Sequence, residues 1–492
     1  MSEQPWAAPV EHDNRKLRTV ILALLAGAVL GIGIAFATPL MAIMGLLGLS
    51  VVIAFFVWPE LGVLAFIGVA NLLPFAVIPV RFGLSLTLVD ATLTTLLVVW
   101  LYWAIQRGRP LVGSALTFPM LIYLGLTLAS FVLGLTYSID PERLRLFLKS
   151  LNSILFFFSV INCVRTTSQL RRAVTVLLLC GVAAAVIAVV LQYLPQETTI
   201  RILSALGPFG YPTGAGVLRP IADTDIQRAI GTSVDPNVLG GLLMLTTALI
   251  TGQLFSRKPL LPRKLLFPML VVVGTALLLT ASRSALGGAL VGAVVVGTFR
   301  DRRLLLVLVV AVVGFFFLPR DWEFVNRVMQ GLAFQDRASL MRLDEYKNAI
   351  NTIVQYPWFG IGFGNPPSID LFLGVSSMYL LIGQEMGLLG MAAFLAILGV
   401  LAWQMLAGLK EVRDEVTKGI LLSLTAAMAA AAAAGMLDHY FVNIEFPHMI
   451  AVFWLYVGLA TVTARLARNP ESSGTVSVTR SARGAVQSVP TV

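Results

Sequence analysis

Apolar runs of about 17 to 25 residues recur along almost all of this 492-residue chain, and nothing else in it constrains the fold as strongly. Lipid offers no partner to a backbone N–H or C=O, so a segment of that length must satisfy its own polar groups, which a helix does. The alternating segments of about ten residues that mark a membrane β-barrel are not the pattern here. A composition of 58% hydrophobic and 12% charged residues agrees. The expected fold is an all-α integral membrane protein, a polytopic bundle of about 12–14 transmembrane helices with a large extracytoplasmic loop.

Spans are predicted at 17–37, 39–57, 60–80, 83–105, 115–136, 147–163, 173–194, 236–255, 265–281, 284–299, 303–318, 376–407, 417–437 and 446–466. The first is too long for a signal-peptide core and lacks a small-x-small cleavage site, so it reads as a retained span. Residues 1–16 are then a cytoplasmic tail and 17–466 one membrane domain. Residues 467–492, rich in Ser, Thr, Val and Gly without an apolar period, read as a disordered tail. Cys163 and Cys180 fall at or within spans, too far apart for a CxxC motif, and read as core residues.

The net charge of +10 sits in short loops rather than in one stripe, which excludes nucleic acid as a partner. With a cytoplasmic N-terminus, the inner loops carry Arg15, Lys16, Arg18, Arg107, Arg109, Arg165, Arg171, Arg172, Arg257, Lys258, Arg263, Lys264, Arg300, Arg302, Arg303, Lys410, Arg413 and Lys418. The C-terminal tail adds Arg465, Arg468, Arg480 and Arg483 to the same side. The bias of Lys and Arg toward the cytoplasm therefore predicts both termini inside a cell membrane.

In that orientation two polar segments project outward, 195–235 and 319–375. In the first, Arg219 and Arg228 precede Asp235-Pro236, which reads as a helix start with Pro at its first position. In the second, Leu340, Leu343, Ile350 and Ile353 recur at helical spacing. They predict an amphipathic helix, capped at Asp336 or Ser339, lying across the outer membrane face with Arg337, Arg342 and Lys347 on its polar side.

LLLTASRSALGG, residues 277–288, places Arg283 between the ninth and tenth predicted spans, at the outer surface. A lone interfacial arginine can do no more than snorkel and fix a turn. Arg228 and Arg342 change the balance, because several guanidinium forks facing outward match the oxygens of a phosphate group. A lipid-linked diphosphate in the outer leaflet is the anion such a site would meet.

Four stretches resemble the bacterial O-antigen ligase and polymerase family of membrane glycosyltransferases. They are RAIGTSVDPNVLGG from Arg228, LTASRSALGG around Arg283, RLDEYKNAINTIVQYPWFGIGFGN from Arg342, and SSMYLLIGQEMGLLG from Ser376. Their order spans about 228–390, and DHYFVNIEFPHMIAVFWLYVGL gives a looser match beyond. The resemblance implies transfer of a glycan from a polyprenyl-diphosphate-linked glycan to an acceptor glycan or lipid, in the bacterial inner membrane among its lipids and other envelope polysaccharide assembly proteins. It implies Arg228 and Arg283 at the departing diphosphate, with Arg342, Arg337 and Arg219 as supporting cations and Ser376 and Tyr379 in the substrate region. Charge develops on a leaving diphosphate, and fixed cations aimed at it lower the barrier without a metal or other cofactor. HExxH and CxxC constellations are missing from the outer loops.

The family's acceptor-activating histidine is replaced by Ser376, a poor general base at neutral pH. That departure favours a polymerase over a ligase acting on a lipid or protein acceptor. Candidate substitutes are Glu385, whose bland reading is a buried carboxylate bonded to a neighbouring helix, and His439, whose bland reading is an interfacial anchor. GIGFGNPP from Gly360 lacks the strand and helix of a nucleotide fold and reads as a flexible outer loop. Trp322 and Trp358 suit an aromatic belt or a sugar-stacking role. Asp90 reads as paired with Arg81. The competing class, a multispan transporter or lipid-linked glycan flippase, would place ionisable residues near the midplane and broken helices in both halves.

Overall fold

The computed structural model describes residues 39–78, 86–106, 111–136, 141–220, 227–317, 329, 337–363 and 375–468. The chain divides into two units, Met1–Trp58 and Pro59–Val492. The first contributes helix α1 (Pro39–Val57) to the described residues. In the second, α2 (Pro59–Leu72), α3 (Leu88–Gln106), α4 (Thr117–Gly134), α5 (Pro141–Cys163) and α6 (Thr167–Tyr193) precede a short α7 (Gln196–Ser204). Then come α8 (Pro236–Leu254), α9 (Arg263–Leu279), α10 (Arg283–Phe299), α11 (Arg302–Phe316), α12 (Arg337–Gln355), α13 (Met378–Glu411), α14 (Glu415–Ala434) and α15 (Pro447–Arg468).

Each predicted span from 39–57 onward falls on one of these helices, and 17–37 lies outside the described residues. Among the described residues eight helices are long and apolar enough to cross a membrane, and Gly45–Val57, Pro59–Leu72 and Arg283–Phe299 are shorter apolar segments. The span predicted at 60–80 is shorter than its hydropathy suggests. The helix stops at Leu72, and Pro74 breaks it before Val77 makes a single bridge to Thr87.

The core is built around α14 and α15, whose Trp454, Phe453 and Tyr456 are buried with Phe394 of α13 and Phe441 of the α14–α15 loop. Around α10 the packing depends on small residues. A Cβ on Gly292 would stand 3.1 Å from both Ala248 Cβ and Ala426 O, and one on Gly288 would collide with Met244 Sδ. Helices pressed this close hold α10 between α8 and α14. The first residue of α10 is Arg283, so this packing also fixes the guanidinium's origin.

Helix α13 is broken at Gly387 (φ 66, ψ −170), which leaves the carbonyls of Gln384 and Glu385 without their helical partners. Ile361 N donates to Gln384 O (2.9 Å), Gly362 N to Glu385 O (3.1 Å) and Ser130 Oγ to Glu385 O (2.8 Å). Leu388 N turns back to Pro357 O (2.7 Å). Residues 357–363 are therefore a packed plug in the break rather than the flexible loop expected from GIGFGNPP, because irregular backbone inside a bundle persists only where its polar groups are satisfied. Gly364–Pro367 and Trp322 lie outside the described residues.

Two ends of the second unit differ in charge chemistry. At one, Arg171 pairs with Asp414 (3.2 Å), Arg172 with Glu60 (2.9 Å), Arg257 with Glu415 (3.2 Å) and Arg468 with Glu411 (3.1 Å), while Arg300 Nε donates to Phe255 O (2.8 Å). The other end gathers Arg228, Arg283, α12 and the α14–α15 loop. Asp90 pairs with Lys149 Nζ at 2.6 Å, and Arg81, its expected partner, lies outside the described residues.

Candidate functional site

Arg228 stands in the loop before α8, and backbone contacts determine its position. Its N donates to Arg219 O (3.0 Å) beside the isolated bridge Pro220–Gln227, and Ala229 N donates to Leu279 O at the end of α9 (2.9 Å). The guanidinium then donates through Nε to Thr280 O (2.7 Å) and through Nη2 to Asn237 Oδ1 (2.7 Å). Asn237 is held by the helix start its sequence predicts, where Asp235 Oδ1 caps α8 by accepting from Asn237 N (2.8 Å) and Val238 N (3.0 Å).

Three residues, 280–282, separate α9 from α10, and Ala281 takes φ 50 to close the turn. Arg283 leaves it pointing toward α12, where its Nη1 donates to Ser339 Oγ at 3.2 Å. Ser339 is consequently not the cap of α12. It is the third residue of that helix, 6% exposed, on the face that packs inward. Ala349 lies on the same face, and Ile353 reaches Gly383 of α13, where a Cβ would meet it at 2.8 Å. Leu340, Leu343 and Ile350 instead point away from the bundle at 50%, 39% and 50% exposure, as a helix lying on lipid requires.

The residue that ties these elements together is Asp438, in the loop after α14. Its side chain is 7% exposed, and Oδ2 accepts from Ser284 Oγ (3.1 Å) and faces Arg342 Nη2 (3.8 Å), while Oδ1 accepts from His439 N (2.9 Å). Tyr346 OH stands 3.0 Å from Ser376 O and 3.1 Å from Met436 O, with one proton to give to either, and Ser376 N donates to Glu345 Oε2 (2.9 Å), so α12 also fixes the start of α13. Burial pushes the Asp438 carboxyl above the usual carboxylate range, against the pull of His439 and Arg342. Burial likewise lowers the Arg228 pKa. Asp235 and Asp438 oppose that shift, and the neighbouring Arg342 and Arg283 add to it. Arg283, Arg342 and Asp438 thus all lie within electrostatic reach of Arg228.

The remaining sequence candidates sit at varied distances from it. Arg219 donates its Nη1 to Gly216 O (2.7 Å) and Leu218 O (3.1 Å), and joins Arg228, Gln192 and Gln227 around a cavity of about 80 Å³. Arg337 opens α12, and its side chain lies outside the described residues. Tyr379 OH donates to Ala432 O (2.8 Å), a helix-to-helix contact. Glu385 adjoins the break in α13, two residues before Gly387. Trp358 is exposed at 65%. His439 lies 3.6 Å through Nδ1 from Asp438 Oδ1, and its Nε2 meets Asn443 Nδ2 at 3.0 Å.

Asp438 escaped the sequence reading although a signal existed. DH is a pair of ionisable residues directly after an Ala-rich span, and the attention given to His439 belongs equally to its neighbour. Among the described residues no group of three or more His, Cys, Asp and Glu could hold a metal ion.

Residues 268–395 match the family model described as O-antigen ligase. The match covers Arg283, Arg337, Arg342, Ser376, Tyr379 and Glu385. It begins after Arg228 and ends before Asp438, so it is shifted from the 228–390 stretch whose motifs carry the resemblance. No curated protein matches the chain. The chemistry of this family is ligase- or polymerase-type glycan transfer, with a lipid-linked glycan and an acceptor as its substrates. By its helices the chain is a polytopic α-helical membrane protein, and its residues 268–395 are similar to the O-antigen ligase family.

Proposed function

We propose that this protein transfers a glycan from a polyprenyl diphosphate carrier to an acceptor glycan, and so lengthens a polysaccharide at the outer face of the bacterial inner membrane. The observation that carries this reading is that Arg283, Arg342 and Asp438 lie within electrostatic reach of Arg228 at one end of the bundle, with Arg342 paired to Asp438 at 3.8 Å. An acceptor hydroxyl attacks the anomeric carbon, the anomeric C–O bond to the diphosphate breaks, and the electron pair leaves on the diphosphate oxygen. Arg228 and Arg283 hold that oxygen's growing charge, and Arg342 supports them. The chemistry as written needs no metal or other cofactor. The N-termini of α8 and α10, which open here, add partial positive charge.

The acceptor proton needs a base, and Ser376 is a poor one. In this reading His439 takes that role. If Asn443 Nδ2 donates to Nε2, the ring proton sits on Nδ1 toward Asp438, and Nε2 is the basic nitrogen once Asn443 yields it to the acceptor. Asp438 is the positioning residue. Glu385, beside the break in α13, is the alternative base. In this reading the basic end of the bundle faces the cytoplasm and the 319–375 segment is extracytoplasmic.

Ligation to a lipid or protein acceptor is the second reading, favoured by the family description itself. Purified protein in nanodiscs, given a defined polyprenyl-diphosphate oligosaccharide alone, separates the two. A ladder of products is expected for polymerisation. A single product that needs an added acceptor supports ligation. Movement of the carrier across the bilayer with no glycan transferred would replace both with transport.

A further inference from the structure

A cavity of about 250 Å³ opens at the basic end of the bundle, opposite the arginine cluster, where α3 and α5 finish and α6 begins. Trp100, Trp103, Asn162, Arg165, Thr166 and Gln169 give it its chemistry, and none of its lining residues is acidic. Much of the polar wall is already committed. Asn162 Oδ1 accepts from Val112 N (2.9 Å), its Nδ2 donates to Phe158 O (2.9 Å), and Gln169 Oε1 accepts from Arg165 N (2.8 Å) and Thr166 N (3.1 Å). One donor differs. Trp100 Nε1 is buried and has no hydrogen-bond partner in the protein, although its ring is fixed by stacking on Phe158 at 6.2 Å between centroids. A buried N–H left unpaired carries a desolvation cost that an acceptor in the cavity would remove.

The charge around the cavity is positive. Arg165 lines it, and Arg465, anchored on Ile161 O (3.1 Å) and Val164 O (3.0 Å), lies within electrostatic reach of Arg165. Outside the mouth, Val98, Leu101 and Ile105 form an exposed apolar stripe at helical spacing along α3. A volume of this size suits a phosphate with a few carbons, not a whole lipid. We infer that the cavity binds the phosphodiester headgroup of an anionic phospholipid. Phosphate oxygens would accept from Trp100 Nε1 and face Arg165, and the acyl chains would run along the α3 stripe.

Full-length protein, purified and delipidated in detergent, is titrated with phosphatidylglycerol, phosphatidylcholine or inorganic phosphate, and bound species are counted by native mass spectrometry. One phosphatidylglycerol is expected to bind roughly tenfold more tightly than phosphatidylcholine, and Trp100→Phe to remove roughly that preference. Trp100→Phe keeps an aromatic ring on Phe158, so it tests the N–H without emptying the wall. Arg165→Gln is expected to act in the same direction. Displacement by inorganic phosphate would assign the site to phosphate as such, and its failure to compete would assign it to the lipid. Equal binding of the two lipids, or phosphatidylglycerol binding unchanged by Trp100→Phe, overturns the inference.

Discussion

Arg283 answers the question its isolation poses. It begins α10, meets Ser339 of α12, and lies within electrostatic reach of Arg228. The three cations were legible because a positive charge beside an apolar run is costly and therefore conspicuous. Asp438 was not, since its importance rests on Ser284 and Arg342, which only folding brings near it. The fork of Arg228 bridges Thr280 O and Asn237 Oδ1, a geometry an ammonium does not reproduce. Arg228→Lys is therefore expected to lower glycan transfer by about 10²-fold in a labelled-donor assay, with the amount of protein in the membrane unchanged. A pH profile tests Asp438. Burial holds its carboxyl up and Arg342 draws it down, so Arg342→Gln raises it further. The acid limb of kcat/KM is expected to move to higher pH in that variant, and an unmoved limb would detach Asp438 from the reaction.

Among elements, helix starts were the most readable feature. Asp235-Pro236 caps α8 as its sequence indicates, because capping is local chemistry. The break in α13 was not readable, since glycines in GQEMGLLG are compatible with an unbroken span and the partners of the freed carbonyls come from residues 360–362 and from α4. Helix α12 shows the same limit. Its apolar spacing was visible, but its packing face is the one carrying Ser339 and Ala349, chosen by what α10 and α13 present to it. A methyl group at Gly387 would enter a positive φ and strike Trp358 O, so Gly387→Ala is expected to cost about 1–3 kcal/mol and lower the thermal midpoint in detergent. Gly274→Ala in α9, where a Cβ meets nothing within 4 Å, is the matched control and should leave the midpoint unchanged or raise it.

For the molecule as a whole, the sequence revealed membrane helices and their charge asymmetry, while the convergence of distant segments on one end required the fold. The orientation proposed for that end is open to cysteine labelling in a background lacking Cys163 and Cys180. Asp344→Cys is expected to react with an impermeant reagent on intact cells, or on spheroplasts where an outer envelope blocks it. Arg257→Cys is expected to react only after permeabilisation, and the reverse pattern would invert the topology. Release of free polyprenyl diphosphate, followed with purified protein, a defined donor and an acceptor, tests the arginine site most directly. Arg228→Gln and Arg283→Gln are each expected to slow that release by about 10²–10³-fold while donor supply and protein integrity stay constant. Release at the unmodified rate by either variant would contradict the assignment of that arginine to the departing diphosphate.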